Sequence, residues 1–323
     1  MPPFKNAVVT IGTFDGVHTG HLKVIHQLKK EAAAVKGETV IITFDPHPRM
    51  VINRTFQNAN PIRLLTTPGE KTELLGKQNI DHLVIVPFTK QFSEQTADEY
   101  IQNFLVNRFH PHTVIIGYDH RFGKDRTGNY KLLEQYGPEF GFKVQEIPGQ
   151  VLHHIIISST NIRKALKEHD IQTANACLGY SYFFEGTVVD GNKLGRELGY
   201  PTANLKINDE NKLVPADGIY AVRVSMPGDS RVHKSPGGIQ IAHPTSNIVH
   251  YKGMMSIGMR PTVGGTTRVI EVNIFDFNEK IYGEKLRVYV EYFLREEVKF
   301  ESIDDLKHQI DLDKIHSLKL LGD

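Results

Sequence analysis

The chain has 323 residues, enough for two domains of ordinary size. It carries 38 Lys plus Arg and 37 Asp plus Glu, so the formal net charge is +1. This near-neutral balance, without a long basic run, argues against general nucleic-acid binding, so phosphate binding would have to come from local sites.

The number of cysteines and the length of the apolar runs are relevant to the cellular compartment of the protein. Cys177 is the one cysteine, so no disulfide can form within the chain, which fits a reducing compartment. No apolar run approaches the ~20 residues that a membrane helix needs. Residues 1–5 lead directly into a strand-like segment, so we expect no signal peptide. We therefore expect a cytoplasmic protein without a membrane partner.

Apolar runs alternate with amphipathic segments up to about residue 179. The predicted strands span residues 7–11, 39–44, 83–86, 113–116, 143–147 and 153–157. The predicted helices span residues 21–35, 68–77, about 96–105, and 130–136. Two helices have clear start signals, because Thr67 precedes Pro68 and Thr96 forms a capping box with Glu99. This alternation predicts a parallel sheet covered by helices.

After residue 180 the pattern changes to strands with few helices between them. The predicted strands span residues 183–189, 218–224, 249–257, 268–277 and 286–293. Turn signals such as Asp190-Gly191 separate them, and residues 227–247 predict a long loop. We expect a small antiparallel barrel, followed by an amphipathic helix that Ser302 caps. The fold class is therefore α/β plus β.

Residues 12–21, Gly-Thr-Phe-Asp-Gly-Val-His-Thr-Gly-His, join the first predicted strand to the first helix. Ligands bind at the carboxyl ends of strands in open parallel sheets, and phosphates favour helix N-termini. His18 and His21 are three apart, so they share a face if both lie on the first helical turn. Two imidazoles beside backbone N–H groups could hold a triphosphate and stabilise charge at its α-phosphorus.

Two other interpretations of this segment stay open. The glycines could simply shape a turn whose histidines cap the helix. A zinc site would need a third and a fourth ligand, and the one cysteine lies far along the chain. We favour the phosphate site and rank zinc last.

Polar segments also follow other predicted strands. They are residues 45–48, 117–124 and 158–163, and the last of these opens a helix. Because the carboxyl ends of parallel strands meet at one edge, these segments predict one site. Taken alone, Ser159 could be only a helix cap and Arg163 only a solvated side chain. A Walker loop at 117–125 is rejected, since Asp125 stands where Ser or Thr is required.

Residues 12–21 resemble the H-x-G-H nucleotidyltransferases. Residues 43–48, Thr-Phe-Asp-Pro-His-Pro, and 158–163, Ser-Ser-Thr-Asn-Ile-Arg, narrow the resemblance to the FMN adenylyltransferase module of prokaryotic bifunctional riboflavin kinase/FAD synthetases. The resemblance implies a Rossmann-like nucleotidyltransferase domain at residues 1–180, with His18 and His21 catalytic. The implied ATP- or FMN-binding residues are Gly12, Phe14, Asp15, Gly16, Asp45, His47, Asp119, Arg121, Ser159, Thr160 and Arg163.

Residues 194–205, Leu-Gly-Arg-Glu-Leu-Gly-Tyr-Pro-Thr-Ala-Asn-Leu, are the most distinctive stretch of the second half. Glycine spacing lets a loop close over phosphates, and Thr202 and Asn204 point the same way on an extended segment. Hydroxyl and amide oxygens are ligands that Mg²⁺ accepts beside nucleotide phosphates. The simpler alternative is a turn in which Asn204 bonds its own backbone.

This stretch resembles the glycine-rich loop and P-T-A-N motif of riboflavin kinases, and residues 218–221, 256–262 and 271–277 extend the resemblance. It implies a β-barrel riboflavin kinase domain at residues 181–323 in which Thr202 and Asn204 hold the metal. Glu271 is implied as the base for the ribityl 5′-hydroxyl, although a strand glutamate usually only faces water. The implied ATP- or flavin-binding residues are Gly195, Gly199, Tyr200, Pro201 and Arg295.

The resemblance covers about residues 6 to 312 and implies Mg²⁺ as cofactor, with ATP, riboflavin and FMN as small-molecule partners. The implied reactions are phosphorylation of riboflavin to FMN, then adenylyl transfer to FMN giving FAD and pyrophosphate. Asn273 and Arg260 depart from the commonest family pattern, His and Asn respectively. Two rivals are disfavoured. The set of kinase motifs argues against adenylyl transfer to another acceptor, and a flavin carrier without turnover would not need Thr202, Asn204 and Glu271. A weak homo-oligomer is left open.

Overall fold

The computed structural model describes residues 4–53, 61–147, 157–191, 194–226, 250–262 and 265–322. The chain forms two compact units, Met1–Ser159 and Thr160–Asp323. The predicted division at residues 180/181 lies later, because residues 160–178 make contacts with the barrel. For example, Asn175 Nδ2 donates to the carbonyl of Val290 at 2.9 Å. The boundary of the functional domains stays a prediction.

The first unit contains a parallel sheet of five strands, as predicted. They are β1 Val8–Ile11, β2 Thr39–Asp45, β3 His82–Pro87, β4 Thr113–Gly117 and β5 Lys143–Ile147. Their order is β3-β2-β1-β4-β5, and every neighbouring pair is parallel. The direction of winding therefore reverses between β1 and β4. The predicted strand at 153–157 lies outside the described residues except for Ile157, which is not in a strand.

Helices flank this sheet. They are Thr19–Val35, Pro48–Asn53, Pro68–Gly76, Lys90–Ser93, Tyr130–Phe140 and a run of Ala97–Glu99, Tyr100–Val106 and Asn107–Phe109 whose middle part is π-helical. Thr67 with Glu70 and Thr96 with Glu99 form complete capping boxes. The sequence signals for these two helix starts are confirmed.

Successive side chains of β1 project to opposite faces of the sheet, and each face packs against a hydrophobic core. Val8 packs with Ile25 and Leu28 of the first helix on one face. Val9 packs with Tyr100 and Phe104 on the other. All six side chains are at most 3% exposed. Burial on both faces explains why β1, β2 and β4 read as continuous apolar runs.

The second unit contains a closed antiparallel barrel, which confirms that prediction. Its strands are β6 Phe183–Val189, β7 Ala203–Ile207, β8 Gly218–Ser225, β9 Tyr251–Thr262, β10 Gly265–Ile274 and β11 Lys285–Arg295. Their order is β10-β7-β6-β11-β8-β9. The sequence predicted β7 only as an extended segment. The predicted loop at 227–247 lies outside the described residues.

The helices of this unit are Ile171–Leu178, Leu194–Glu197 and Ile303–Leu321, together with Ser159–Lys167, which begins at the division between the units. Ser302 caps the C-terminal helix as predicted, since its hydroxyl accepts from Asp305 N at 3.1 Å. Within the part of the chain that the structure describes, no helix has the length and apolar character that a membrane span requires.

Candidate active sites

The carboxyl ends of β2, β1 and β4 lie side by side, because β1 pairs with β2 on one side and with β4 on the other. Three of the predicted polar segments leave the sheet at these ends. They therefore meet at one edge, at the point where the strand order reverses. In open parallel sheets this is the usual place for a ligand.

The loop after β1 has an unusual backbone. Phe14, Gly16 and Val17 have φ angles of 48°, 84° and 37°, a region that residues with a Cβ rarely adopt. Asp15 is only 3% exposed, and its carboxylate accepts hydrogen bonds from Leu65 N at 3.2 Å and Thr66 N at 3.0 Å. These hydrogen bonds attach the loop to the backbone of Leu65 and Thr66. A role of Asp15 in ligand binding stays a prediction.

A buried lysine that the sequence analysis missed lies behind the same loop. Lys71 Nζ donates to the carbonyls of Thr13 and Phe44, each at 3.3 Å, and to Thr43 Oγ1 at 3.1 Å. Burial lowers its pKa, against the opposing charges of Asp15 and Asp45. The lysine thus joins the ends of β1 and β2.

One signal in the sequence could have identified this lysine. Lys71 precedes Leu75 by four residues on the helix Pro68–Gly76, so the two share a face. Leu75 is fully buried. A lysine on the apolar stripe of a helix needs internal acceptors.

His18 and His21 lie together, as predicted from their spacing. His18 caps the first helix, and its Nδ1 accepts from His21 N at 3.3 Å. The two rings stack with centroids 3.7 Å apart and an interplanar angle of 14°. Gly20 makes room for this arrangement, since a Cβ there would lie 3.1 Å from His18 Nδ1. Glycine at position 20 therefore leaves the space in which the His18 ring stacks on the His21 ring.

His21 combines burial with an unused nitrogen. Its Nδ1 is buried and has no hydrogen-bond partner among the described residues. Burial lowers the pKa of His21 well below its usual value, and the charges of His18 and Lys71 act in the same direction. An unsatisfied buried polar atom is rare, so this nitrogen is a candidate for a hydrogen bond to a ligand.

The other residues predicted for the first domain are placed as follows. Ser159 Oγ donates to the carbonyl of Asp15 at 2.9 Å, so it reaches the loop after β1. His47 Nδ1 accepts from Arg49 N at 3.2 Å. Asp45, Asp119 and Arg121 are exposed.

The remaining residues lie near the loop or on the following helix. Gly12 N donates to the carbonyl of Ile42 at 3.0 Å, and the centroid of the Phe14 ring lies 4.9 Å from that of His21. Thr160 and Arg163 follow Ser159 on its helix.

Three further side chains of the first unit have a buried polar atom without a partner. Gln95 Oε1, Tyr100 Oη and His120 Nε2 are buried without partners among the described residues. The Phe122 ring stacks on Tyr100 with centroids 4.9 Å apart and lies 5.9 Å from the His120 ring. The sequence analysis placed Tyr100 in a predicted helix and His120 in a polar segment, and singled out neither of them. Buried polar atoms without partners are rare in native structures, so these three are candidates for hydrogen bonds to a ligand or water.

On the barrel, three polar side chains form one row across adjacent strands. Glu271 of β10 is paired with Asn204 of β7 on one side and with Ser256 of β9 on the other. Residues directly opposite in antiparallel strands project to the same face. The neighbouring Val272 is fully buried, so the row lies on the face away from the core. The structure thus brings the predicted base and a predicted metal ligand together.

The glycine-rich loop lies beside this row. Tyr200 N donates to the carbonyl of Gly195 at 2.7 Å, and Gly199 has a φ of 86°. A Cβ on Gly195 would lie 2.4 Å from the carbonyl oxygen of Tyr200, so glycine is required there. Asn273 Nδ2 donates to the carbonyl of Pro201 at 2.7 Å. Asn273, a departure from the family pattern, therefore holds the turn before Thr202.

The donors around Asn204 suit Mg²⁺. Thr202 and Asn204 offer a hydroxyl and an amide oxygen, and the carboxylate of Glu271 lies in the same row. Among the described residues, no group of three or more His, Cys, Asp or Glu could hold a metal. A hard ion bound by few protein oxygens and completed by phosphates fits this donor set better than zinc does.

Two predicted ligands of the kinase site contact the C-terminal helix. The Tyr200 hydroxyl donates to Asp311, and this hydrogen bond is the main cause that raises the pKa of Tyr200 to about 12. Arg295 Nη2 and Nε bond the carboxylate of Asp313 at 2.7 and 3.0 Å. Asp313 is 5% exposed, so this pair fixes the helix on the barrel. Ligand binding by Tyr200 and Arg295 stays a prediction.

The burial of His120 predicts how the first unit responds to pH. Burial lowers the pKa of His120 to about 4, against the opposing charge of Asp119, whereas an unfolded histidine titrates near 6.5. The folded state thus binds fewer protons between these values, so its stability falls as the pH drops through this window. Each such group changes the free energy of unfolding by up to about 1.4 kcal/mol per pH unit within this window.

We expect the His120 imidazole to titrate at about 4 in NMR spectra. His120→Gln should reduce the loss of unfolding free energy between pH 7 and pH 5, measured with urea. A titration near 6.5 would contradict the described burial.

Comparison with known families gives a match on each unit. A model of the FAD synthetase family matches residues 2–161, and a model of the riboflavin kinase family matches residues 178–321. The first match covers the parallel sheet, and the second covers the barrel.

Individual relatives match over nearly the whole chain. A bifunctional riboflavin kinase/FMN adenylyltransferase of Haemophilus influenzae is 36% identical, over 96% of this chain and 92% of the relative. The one from Escherichia coli K12 is 31% identical, over 99% and 94%. A crystal structure described as a macrolide-efflux protein from Streptococcus pneumoniae has a TM-score of 0.82 and 30% identity, over 98% and 94%. The chain belongs to the bifunctional riboflavin kinase/FMN adenylyltransferase family.

Proposed function

We propose that this chain makes FAD from riboflavin in two ATP-dependent steps. The kinase step uses the row of polar side chains on the barrel, and the adenylyl step uses the loop after β1 with its two histidines. The observation that carries the proposal is the pair of family matches, one on each unit, in relatives that are named for both activities. The row of Asn204, Glu271 and Ser256 and the stacked histidines supply side chains suited to the two reactions.

In the kinase step, the 5′-hydroxyl oxygen of riboflavin attacks the γ-phosphorus of ATP. The bond between that phosphorus and the β–γ bridging oxygen breaks, and ADP leaves. Glu271 orients the hydroxyl and accepts its proton. The loop around Gly195 and Gly199 covers the phosphates. Catalysis here rests mainly on positioning and charge stabilisation.

Mg²⁺ would be held by Thr202 and Asn204. When bound, it offsets the negative charge on the β- and γ-phosphate oxygens. Asn273 supports these ligands indirectly, because its bond to Pro201 fixes the turn that precedes Thr202. The register that pairs Asn204 with Glu271 keeps the metal ligand and the base in adjacent positions.

In the adenylyl step, a phosphate oxygen of FMN attacks the α-phosphorus of a second ATP. The bond to the bridging oxygen of the β-phosphate breaks, and pyrophosphate leaves without a covalent enzyme intermediate. His18 and His21 bind phosphate oxygens at the N-terminus of the first helix and stabilise the charge that develops. Burial and the charges of His18 and Lys71 lower the pKa of His21 in the ligand-free site, so a neutral imidazole is available there to donate.

The proposed partners are small molecules: ATP, riboflavin and FMN. A net charge of +1 supports local phosphate sites over nucleic-acid binding, and the single cysteine supports a cytoplasmic location.

A product assay tests the proposed function. Purified chain is incubated with riboflavin, ATP and Mg²⁺, and the flavins are separated by chromatography over time. We expect FMN to appear first and FAD to follow. Accumulation of FMN alone would contradict the adenylyl step, and conversion of added FMN with riboflavin untouched would contradict the kinase step.

Replacing His21 tests the adenylyl site. His21→Ala should lower FAD formation from added FMN by about 100-fold or more, the usual loss for one preorganised donor. Phosphorylation of riboflavin by the same preparation should not change. His26→Ala is the matched control, because His26 is an exposed histidine on the same helix. A near-normal rate in His21→Ala would refute the assigned role.

Replacing Gly20 tests the geometry of the histidine pair. In Gly20→Ala the new methyl group would press on His18 Nδ1 and Cε1, at 3.1 and 3.2 Å, and displace the ring. We expect FAD formation to fall about 10-fold, since small misplacements of catalytic groups are costly. Gly69→Ala is the control, because a Cβ at this helical position meets nothing within 4 Å. Equal rates in the two variants would contradict the packing argument.

A further inference from the structure

Arg260 lies at the centre of a cluster of polar groups on the barrel. Its Nη1 is 2.8 Å from Glu297 Oε1, and its Nη2 is 3.6 Å from Glu271 Oε2. Nη2 also donates to Ser256 Oγ at 3.3 Å. One guanidinium therefore contacts the proposed base, a second carboxylate and the serine that is paired with the base in the sheet.

The backbone is shaped to hold this cluster. Arg260, Gly258 and Ser256 alternate along β9, so they share the face that carries Glu271 of β10. A Cβ on Gly258 would lie 1.9 Å from Glu297 Oε2. Glu297 therefore fills the space that Gly258 leaves open, and there it accepts a hydrogen bond from Ser256 Oγ at 3.2 Å.

We propose that Arg260 is a positioning residue of the kinase site, which holds the Glu271 carboxylate in the row beside Asn204 while Glu297 and Ser256 hold Arg260. This inference rests on the proposed kinase function. A glutamate side chain has several rotatable bonds, and an ion pair with a fixed partner restricts them. A planar guanidinium can engage two carboxylates at once, whereas an ammonium group is a single point of charge.

The cluster also contains an electrostatic conflict that Arg260 resolves. Glu271 and Glu297 both lie within 4 Å of the same guanidinium, so their negative charges are near each other. Without the arginine, the two carboxylates would repel and Glu271 would move from its place in the row. Removing the charge of Glu297 as well should therefore relieve the effect of removing Arg260.

The test uses the full chain and measures kcat and KM for phosphorylation of riboflavin, counted as FMN plus FAD. Arg260→Gln should lower kcat about 10-fold, which corresponds to the coupling energy of one charge pair. The KM for ATP should change little. Arg260→Lys should give an intermediate kcat. The double variant Arg260→Gln/Glu297→Gln should recover part of the loss, which a merely structural role would not produce. FAD formation from added FMN should stay unchanged in all of them.

Arg268→Gln is the matched control, since Arg268 is exposed to a similar degree, 39% against 37%, and pairs with Asp217 on the same barrel. Normal kcat in Arg260→Gln, equal to that of Arg268→Gln, would overturn the inference. A double variant no more active than Arg260→Gln would overturn it too. Failure of the proposed kinase function has a different signature, because the unaltered chain would then not phosphorylate riboflavin and Glu271→Gln would have no effect.

Discussion

The carboxylate of Asp15 and the ammonium of Lys71 hold the loop after β1 from two sides. Asp15 bonds the backbone of Leu65 and Thr66, and Lys71 bonds the carbonyls of Thr13 and Phe44. These bonds keep a loop with three positive φ angles in one conformation. The stacked histidines begin directly after this loop, so their position depends on it.

The barrel site depends on a comparable constraint, which is the register of three strands. Pairing of β7, β10 and β9 places Asn204, Glu271 and Ser256 in one row. A slip of one residue would turn Glu271 into the core and Val272 out of it. The packing of Val272 in the core therefore also fixes the orientation of the proposed base.

Much of the fold follows from local patterns in the sequence. The helix starts at Thr67 and Thr96, the parallel sheet and the antiparallel barrel were all predicted, because they rest on periodicity and on groups only a few residues apart. The short strand β7 was harder to predict, since its five residues, Ala203–Ile207, include Asn204 and Lys206 and are stabilised by pairing with β6 and β10.

The sequence alone determined the two-part architecture, the pairing of His18 with His21 and the segments that approach one another at the edge of the sheet. Only the tertiary structure revealed that Lys71 is buried behind the loop after β1 and that Arg260 contacts Glu271. The structure also showed that Arg295 bonds Asp313. The physical reason is that a helical face or a cap is set by near neighbours in the chain, whereas Lys71, Glu271 and Arg295 meet these partners only when separate elements pack together.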